Sequence, residues 1–456
     1  MEPNARSPSS REGTDGEHDL PVAVIGAGPV GLAAAAHLAA RDREAVLLEA
    51  GPGPGTSVRE WGHVRLFSPW SLCVDPVAAE LLGEAGWTPP PEAELPTGRE
   101  LVERYLEPLA ELPALRRVIR YGHRVTGVTR VGRDRLKGAS RSERAEAPFV
   151  VRYEAGGAPG RLPARAVVDA SGTWTRPRPL GADGLPARGE RRASDRIHYG
   201  LPDVTGAARD RFAGRRTAVV GAGHSAANVL LDLVRLKRDA PETEPVWLLR
   251  GGPPANVFRE EDDGEDELEA RGALESRLRE LVEEGPVEMI TEFGTRAVRS
   301  RSDGIELADD GGRSVQVDRV VGVTGFRPDL EMLRELRLDL DPATEAPRDL
   351  GPLIDPNVHS CGTVPPHGEE QLRHPEPGFY IVGMKSYGRA PTFLLPTGYE
   401  QVRSVVAELA GDREAARRVE LELPDTGVCS ADAALATEGA STGTEGGIAS
   451  GAVCCG

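Results

Sequence analysis

PVAVIGAGPVGLAAAAHLAARDREAVLLEAG, residues 21–51, is the stretch from which the rest of the chain is read. Val22 to Ile25 is a short apolar run rich in β-branched residues, and it passes without a linker into Gly26-Ala-Gly28-Pro29-Val-Gly31. This spacing predicts strand, tight turn and helix in immediate succession. Gly26 makes the turn, Gly28 lets a pyrophosphate approach the backbone, and Gly31 lets the helix pack closely on the strand. Pro29 suits a first helical turn, where its missing N–H is not needed. The helix N-terminus then faces the phosphate charge. Beyond the Ala-rich helix, Ala45 to Leu48 reads as a second strand ending in Glu49, where a carboxylate binds ribose hydroxyls.

The chain has 456 residues, enough for two or three domains, and its 54 glycines and 38 prolines suit a loop-rich α/β protein. A net charge of −17, spread along the chain, argues against nucleic acid or an anionic membrane as partner. Residues 1–19 are polar without an apolar core, so no secretory signal is expected, and no segment is long and apolar enough to span a bilayer. The expected location is cytoplasmic. Five cysteines, an odd number without a C-x-x-C, argue against a disulfide framework.

Downstream, Arg59 to Trp70 holds four aromatics in an aromatic-poor chain, readable as a satellite core or as a wall of a cofactor pocket. Cys73, alone, reads as buried rather than nucleophilic. A helix is expected over 98–112, a strand region over 117–130, a surface loop over 132–147, and strands at Phe149 to Tyr153 and Arg165 to Ala170. Asp169-Ala-Ser-Gly172-Thr-Trp174 and the prolines after it mark a crossing between domains.

A second fingerprint follows the strand Thr217 to Val220: Gly221-Ala-Gly223-His224-Ser225-Ala226, with Ala226 in place of the third glycine. The next strand, Val246 to Leu249, ends in Arg250 rather than an acid. A guanidinium there pairs with a 2′-phosphate, which points to NADPH over NADH. The acidic run 260–267 reads as a solvated loop, Leu268 to Glu284 as a helix, and 304–319 as a hairpin. Val320 to Asp329, with Thr324-Gly325, mirrors the first crossing. His359, Cys361, His367 and His374 match no compact metal-ligand spacing. Phe379 to Val382 is a strand ending at Gly383-Met384, and a helix runs from about Thr397 to Leu409.

Two dinucleotide fingerprints, acidic at the first ribose position and basic at the second, resemble the two-dinucleotide-binding-domain flavoproteins over about residues 20–412. The resemblance implies an α/β fold with two Rossmann-like dinucleotide-binding domains, the FAD domain split around an inserted NADPH domain, and disordered termini. The implied segments are 1–19 as a disordered N-terminus, 20–180 and 320–412 for FAD, 181–319 for NADPH, and a flexible tail at 413–456. Implied FAD contacts are Gly26, Gly28, Pro29, Gly31, Glu49, Trp61, Val125, Gly172, Gly383 and Met384. Implied NADPH contacts are Gly221, Gly223, Ser225, Ala226 and Arg250.

The turn GAGHSA, the crossing ASGTWTRPRP and the segment GYEQVRSVVAELAG are similar to the flavin-containing monooxygenase branch. That likeness implies hydride transfer from NADPH, a C4a-hydroperoxyflavin formed with O2, and oxygenation of a small-molecule soft nucleophile (sulfur, nitrogen or a metalloid). The chain departs from the branch in two places. The aromatic-x-Gly-x-x-x-His signature is reduced to Arg196-Ile-His198-Tyr199, and a Gly-Asp pair is replaced by Gly383-Met384. No general base stands out.

Cys454-Cys455, with Cys429 upstream, forms a vicinal pair suited to a thiophilic ion or to thiol exchange. It is similar to the C-terminal pair of mercuric reductases, and the whole chain resembles flavin monooxygenase-like proteins of arsenic-resistance clusters. An NADPH-dependent flavin reductase of a thiol, metal or metalloid substrate, and a redox- or metalloid-sensing flavoprotein, are therefore the rival readings.

Overall fold

The computed structural model describes residues 20–136, 141–253, 269–359 and 364–421. The acidic run 260–267, Cys361 and the tail cysteines Cys429, Cys454 and Cys455 lie outside the described residues.

The strands are, in chain order, β1 (Val22–Ile25), β2 (Ala45–Leu48), β3 (Ile119–Arg120), β4 (His123–Arg130), β5 (Phe149–Ala155), β6 (Ala158–Ala164) and β7 (Ala166–Asp169). Then come β8 (Ile197–Tyr199), β9 (Arg216–Val220), β10 (Glu244–Leu248), β11 (Glu288–Ile290), β12 (Ala297–Ser300), β13 (Ile305–Ala308), β14 (Ser314–Val317), β15 (Arg319–Gly322) and β16 (Phe379–Ile381). They form two five-stranded parallel sheets, ordered β16-β7-β1-β2-β3 and β11-β10-β9-β15-β8. Each has a three-stranded antiparallel sheet beside it in the chain, β4-β5-β6 and β12-β13-β14. This is the α/β architecture with two Rossmann-like units expected from the two fingerprints.

Burial explains the pattern. All four residues of β1 and all four of β7 are buried, so β1 reads as an unbroken apolar run and β7 as an apolar run ending in Asp169, rather than as alternating ones. The helix Pro29–Ala40 is buried from Val30 to Leu38, and its alanines admit the helix Leu395–Leu409 against it.

Three features differ from the sequence reading. First, β15 pairs in parallel with both β9 and β8, so residues 320–322 belong to the second sheet and the return to the first begins after them. The run Val320-Val-Gly carries no mark of which sheet it will join. Second, the segment 132–147 contains a helix, Arg141–Glu146. Its Arg144 is buried because Glu376, itself 1% exposed, takes both Arg144 Nε at 2.9 Å and Arg130 Nε at 2.8 Å. A partner 232 residues away leaves no local periodicity. Third, the helix over Gly98–Glu111 widens by one turn at Val102–Leu106. Pro108 has no N–H to offer the carbonyl of Arg104, and the Trp87 indole donates to that carbonyl instead at 2.9 Å.

The outward and return crossings run side by side. Arg178 N–H donates to Gly325 O at 2.9 Å, Arg327 N–H donates to Arg176 O at 3.1 Å, and the Trp174 and Phe326 rings stack at 4.9 Å. The two sheets are thus joined by a short antiparallel ribbon.

His374 is packed on Phe379 and accepts the Asp339 N–H at 3.3 Å through Nδ1. Burial pushes its imidazole down to about 4 from 6.5. The unfolded chain therefore takes up this proton near its ordinary value, while the folded chain resists until much lower pH. The stability His374 contributes is full above pH 6.5 and is lost as pH falls toward 4, by about 3 kcal/mol at most. Urea unfolding at pH 7 and pH 4.5 checks this: His374→Gln is expected to flatten the loss seen in the native chain.

Candidate functional site

Both fingerprints build the same cradle. At the first, Gly26 has φ +98°, and a Cβ there would lie 2.9 Å from the carbonyl oxygen of Ala170 on the outward crossing. At the second, Gly221 has φ +143°, and a Cβ would overlap the carbonyl of Val323 on the return crossing. Each first glycine is thus held against the chain leaving its own sheet. A Cβ on Gly31 would overlap the Gly26 carbonyl oxygen, so only glycine fits there. Ala226 is accommodated in the second unit because its methyl is buried in the core under the helix His224–Asp239.

The middle glycines behave differently. Around the Cβ positions of Gly28 and Gly223 there is nothing within 4 Å. Both are helix N-caps with extended backbone and no side-chain cap, so the first-turn N–H groups have no capping side chain and face this space. An open cradle at a helix N-terminus is what a pyrophosphate requires. Pro29 occupies the first turn of the helix Pro29–Ala40, and Ser225 that of His224–Asp239.

Glu49 is fixed at the end of β2. Its Oε2 accepts the Ala27 N–H at 2.7 Å and its Oε1 the Gly51 N–H at 2.6 Å, which sets the carboxylate beside the first glycine turn. His123 N–H donates to the Glu49 carbonyl at 2.7 Å, so β4 starts at the same edge and carries Val125 two residues on, opposite Tyr153. Trp61 packs over Gly98, where a Cβ would meet its ring at 2.7 Å. Gly172 lies on the outward crossing with φ +70°.

Gly383 and Met384 connect the two cradles. Gly383 has φ +68°, and its Cβ position lies 3.1 Å from Val30 in the first fingerprint, while Met384 lines a cavity of about 570 Å³ that reaches the second. That cavity runs from Gly221, Gly223, Ser225 and Arg250 to Phe326, Met384 and Phe393. Arg250 sits exposed at its rim, donating to Ala182 O at 3.2 Å. The Trp247 indole donates to the Gly221 carbonyl at 2.7 Å and pins the second turn from beneath.

Sequence reasoning missed the polar support behind Gly383. Gly383 N–H donates to Gln401 Oε1 at 2.7 Å, and Gln401 Nε2 is 3.0 Å from His367 Nε2. His367 Nδ1 lies 3.0 Å from the Pro365 carbonyl, so it carries the proton and Nε2 accepts from Gln401. Burial lowers the His367 imidazole below its ordinary value, keeping it neutral in this role. Lys385 was missed too: its Nζ lies 2.7 Å from Asp169 Oδ2 and 3.0 Å from Ser171 Oγ, with both charged side chains fully buried. The Cys73 thiol is buried, donates to Ser68 O, and is pushed up to about 12 by desolvation.

The sequence model of the pyridine nucleotide-disulphide oxidoreductase family matches residues 20–365, and with that match come the family's cofactors, FAD and NAD(P)H. No curated protein matches the chain. Among solved structures, a bacillithiol disulfide reductase from Bacillus cereus is similar at 19% identity and TM-score 0.59, over 86% of this chain and 99% of that one. A flavin monooxygenase from Stenotrophomonas maltophilia is similar at 21% identity and TM-score 0.57, over 86% and 98%. A cadaverine monooxygenase of desferrioxamine biosynthesis from Erwinia amylovora, whose structure holds FAD, is similar at 14% and TM-score 0.59, over 90% and 99%. These likenesses are of fold. No helix among the described residues is long and apolar enough to cross a membrane.

An alanine at Gly28 meets no atom of the protein, and its methyl would stand in the open cradle at the helix N-terminus. Gly28→Ala is expected to leave the unfolding midpoint of the flavin-free chain unchanged and to weaken FAD binding about tenfold or more. Thermal melts and FAD titration of the two apoproteins read this directly.

Proposed function

The chain belongs to the pyridine nucleotide-disulphide oxidoreductase family, and we propose that it is an FAD- and NADPH-dependent monooxygenase of a small soft nucleophile (sulfur, nitrogen or a metalloid), working in the cytoplasm. The observation that carries this reading is the wall of the cavity between the second cradle and Met384, where no cysteine stands among the described residues. Disulfide reduction needs a thiolate at the flavin. Cys73 is fully buried and its thiol is pushed up to about 12, so it does not supply one. With no such thiol among the described residues, this reading takes O2 as the acceptor for the electrons: NADPH, a proton, O2 and the substrate give NADP+, water and the oxygenated substrate.

In this reading the first cradle takes FAD, whose bound ring supplies hydride acceptance and oxygen activation. Gly26, Gly28, Pro29 and Gly31 receive its pyrophosphate, Glu49 its ribose, and Val125, Trp61, Gly172, Gly383 and Met384 flank the rest. Gln401 holds the Gly383 amide in place from behind. Gly221, Gly223, Ser225 and Ala226 form the nicotinamide cradle, and Arg250 meets the 2′-phosphate. Phe67, Phe326 and Phe393 give the cavity apolar walls that exclude water from the reacting atoms.

Turnover under 18O2 with a thioether, an amine and a trivalent arsenical tests the reaction. Labelled oxygen in one product, with NADPH consumption unchanged in the Cys73→Ser, Cys361→Ser double variant, is expected. NADPH oxidation that persists without O2, is stimulated by a disulfide or thiophilic metal ion, and is lost in that variant would establish the reductase instead. For the nicotinamide site, Arg250→Ala is expected to raise KM for NADPH by about 10- to 100-fold while leaving KM for NADH within about twofold.

A further inference from the structure

The chain has 72 acidic and 55 basic residues, yet its main cavity has the opposite balance. Its charged wall residues are Arg178, Arg250 and Arg389, and no carboxylate lines it among the described residues. Arg327 also approaches Arg178, but Glu345 neutralises it. The side chains of Arg178 and Arg389 have no hydrogen-bond or ion-pair partner among the described residues, and both are partly buried. Burial and the guanidiniums of Arg389, Arg250 and Arg327 together push Arg178 below its ordinary range. Two partly desolvated cations side by side are unfavourable until an anion joins them.

The nicotinamide cofactor accounts for only part of this charge. Its pyrophosphate belongs at the open Gly223 cradle and its 2′-phosphate at Arg250, both on the side of the second sheet. Arg389 comes from a different element, after β16 of the first sheet. It follows Met384 in the segment leading to Phe393 and Leu394, and its own N–H is held by Thr344 O at 2.7 Å. Its backbone is thereby held in place, and its planar guanidinium is a two-pronged donor beside Met384, Phe393 and Leu394 in the cavity lining.

We propose that the substrate carries a carboxylate, and that Arg389, with Arg178 beside it, is the anchor that grips this group and turns the soft atom toward Met384. This assignment rests on reading the cavity as a monooxygenase site. It narrows the substrate class to small acids bearing a sulfur, nitrogen or metalloid centre. The anchor explains how an apolar pocket orients a small molecule without any general base, since position rather than proton transfer is what the protein supplies.

The test compares methylthioacetate with methylthioacetamide, which has the same shape and no charge, on the FAD-loaded enzyme. Binding is read from the flavin difference spectrum with NADP+ present, and turnover from NADPH-dependent O2 uptake. The acid is expected to bind about tenfold or more tighter than the amide. Arg389→Gln should abolish that preference, Arg389→Lys should restore part of it, and KM for NADPH should stay within about twofold in both. Equal binding of acid and amide by the native enzyme overturns the anchor, with no variant needed. So does an Arg389→Gln variant whose KM for NADPH rises while the acid preference remains, because Arg389 then serves the cofactor. Arg389-dependent binding of the acid without oxygen transfer leaves the anchor standing and removes the oxygenase reading. Oxygenation of both probes at equal efficiency does the reverse.

Discussion

The buried ion pair of Asp169 with Lys385 ties together the two strands at the edge of the first sheet. Asp169 ends β7 and Lys385 lies just after β16, and these strands are neighbours at the edge of the first sheet. Removing both charges from water is costly, and the attraction at 2.7 Å offsets that cost only because Ser171 shares the network, donating to Asp169 at 2.6 Å and lying 3.0 Å from Lys385. The pair fixes the point where the chain leaves the first sheet against the point where it comes back. Gly383 and Met384, two residues and one residue before Lys385, are thereby set between the cradles.

The same economy governs the two dinucleotide turns. Each first glycine is pressed against the chain crossing out of its own sheet, Ala170 in one unit and Val323 in the other, so a side chain at either position would push that crossing away. Each middle glycine faces empty space. Trp247 adds to the second unit a brace that the first lacks at the matching place, where β2 carries Leu47. Local sequence therefore sets the shape of each turn, while tertiary contact makes it rigid.

This division also explains what could be read from the chain. The glycine turns, Glu49 and Arg250 were legible because strand, turn, helix and strand are contiguous and each residue acts within about thirty positions of the next. The two crossings were legible as Gly-containing breaks after apolar strands. Lys385 was not, because its partner is 216 residues earlier and nothing in Met384-Lys385-Ser386 signals burial of a charge. Arg144 was hidden for the same reason, a buried residue in a charged segment that answers to Glu376. The membership of β15 depended on strand pairing, which a four-residue apolar run does not encode. Arg389 escaped notice because its place in the cavity lining, and its lack of a partner among the described residues, are visible only in three dimensions.

The ribbon formed by the two crossings has a mechanical consequence. A lone linker would let one sheet swivel freely against the other, but here two strands of chain are clasped by Arg178 with Gly325, by Arg327 with Arg176, and by the stacked rings of Trp174 and Phe326. Such a double tether resists torsion while still bending across its width. Arg178, Gly325 and Phe326 of this ribbon also line the cavity between Arg250 and Met384, so the tether that joins the two sheets is at the same time part of the cavity wall.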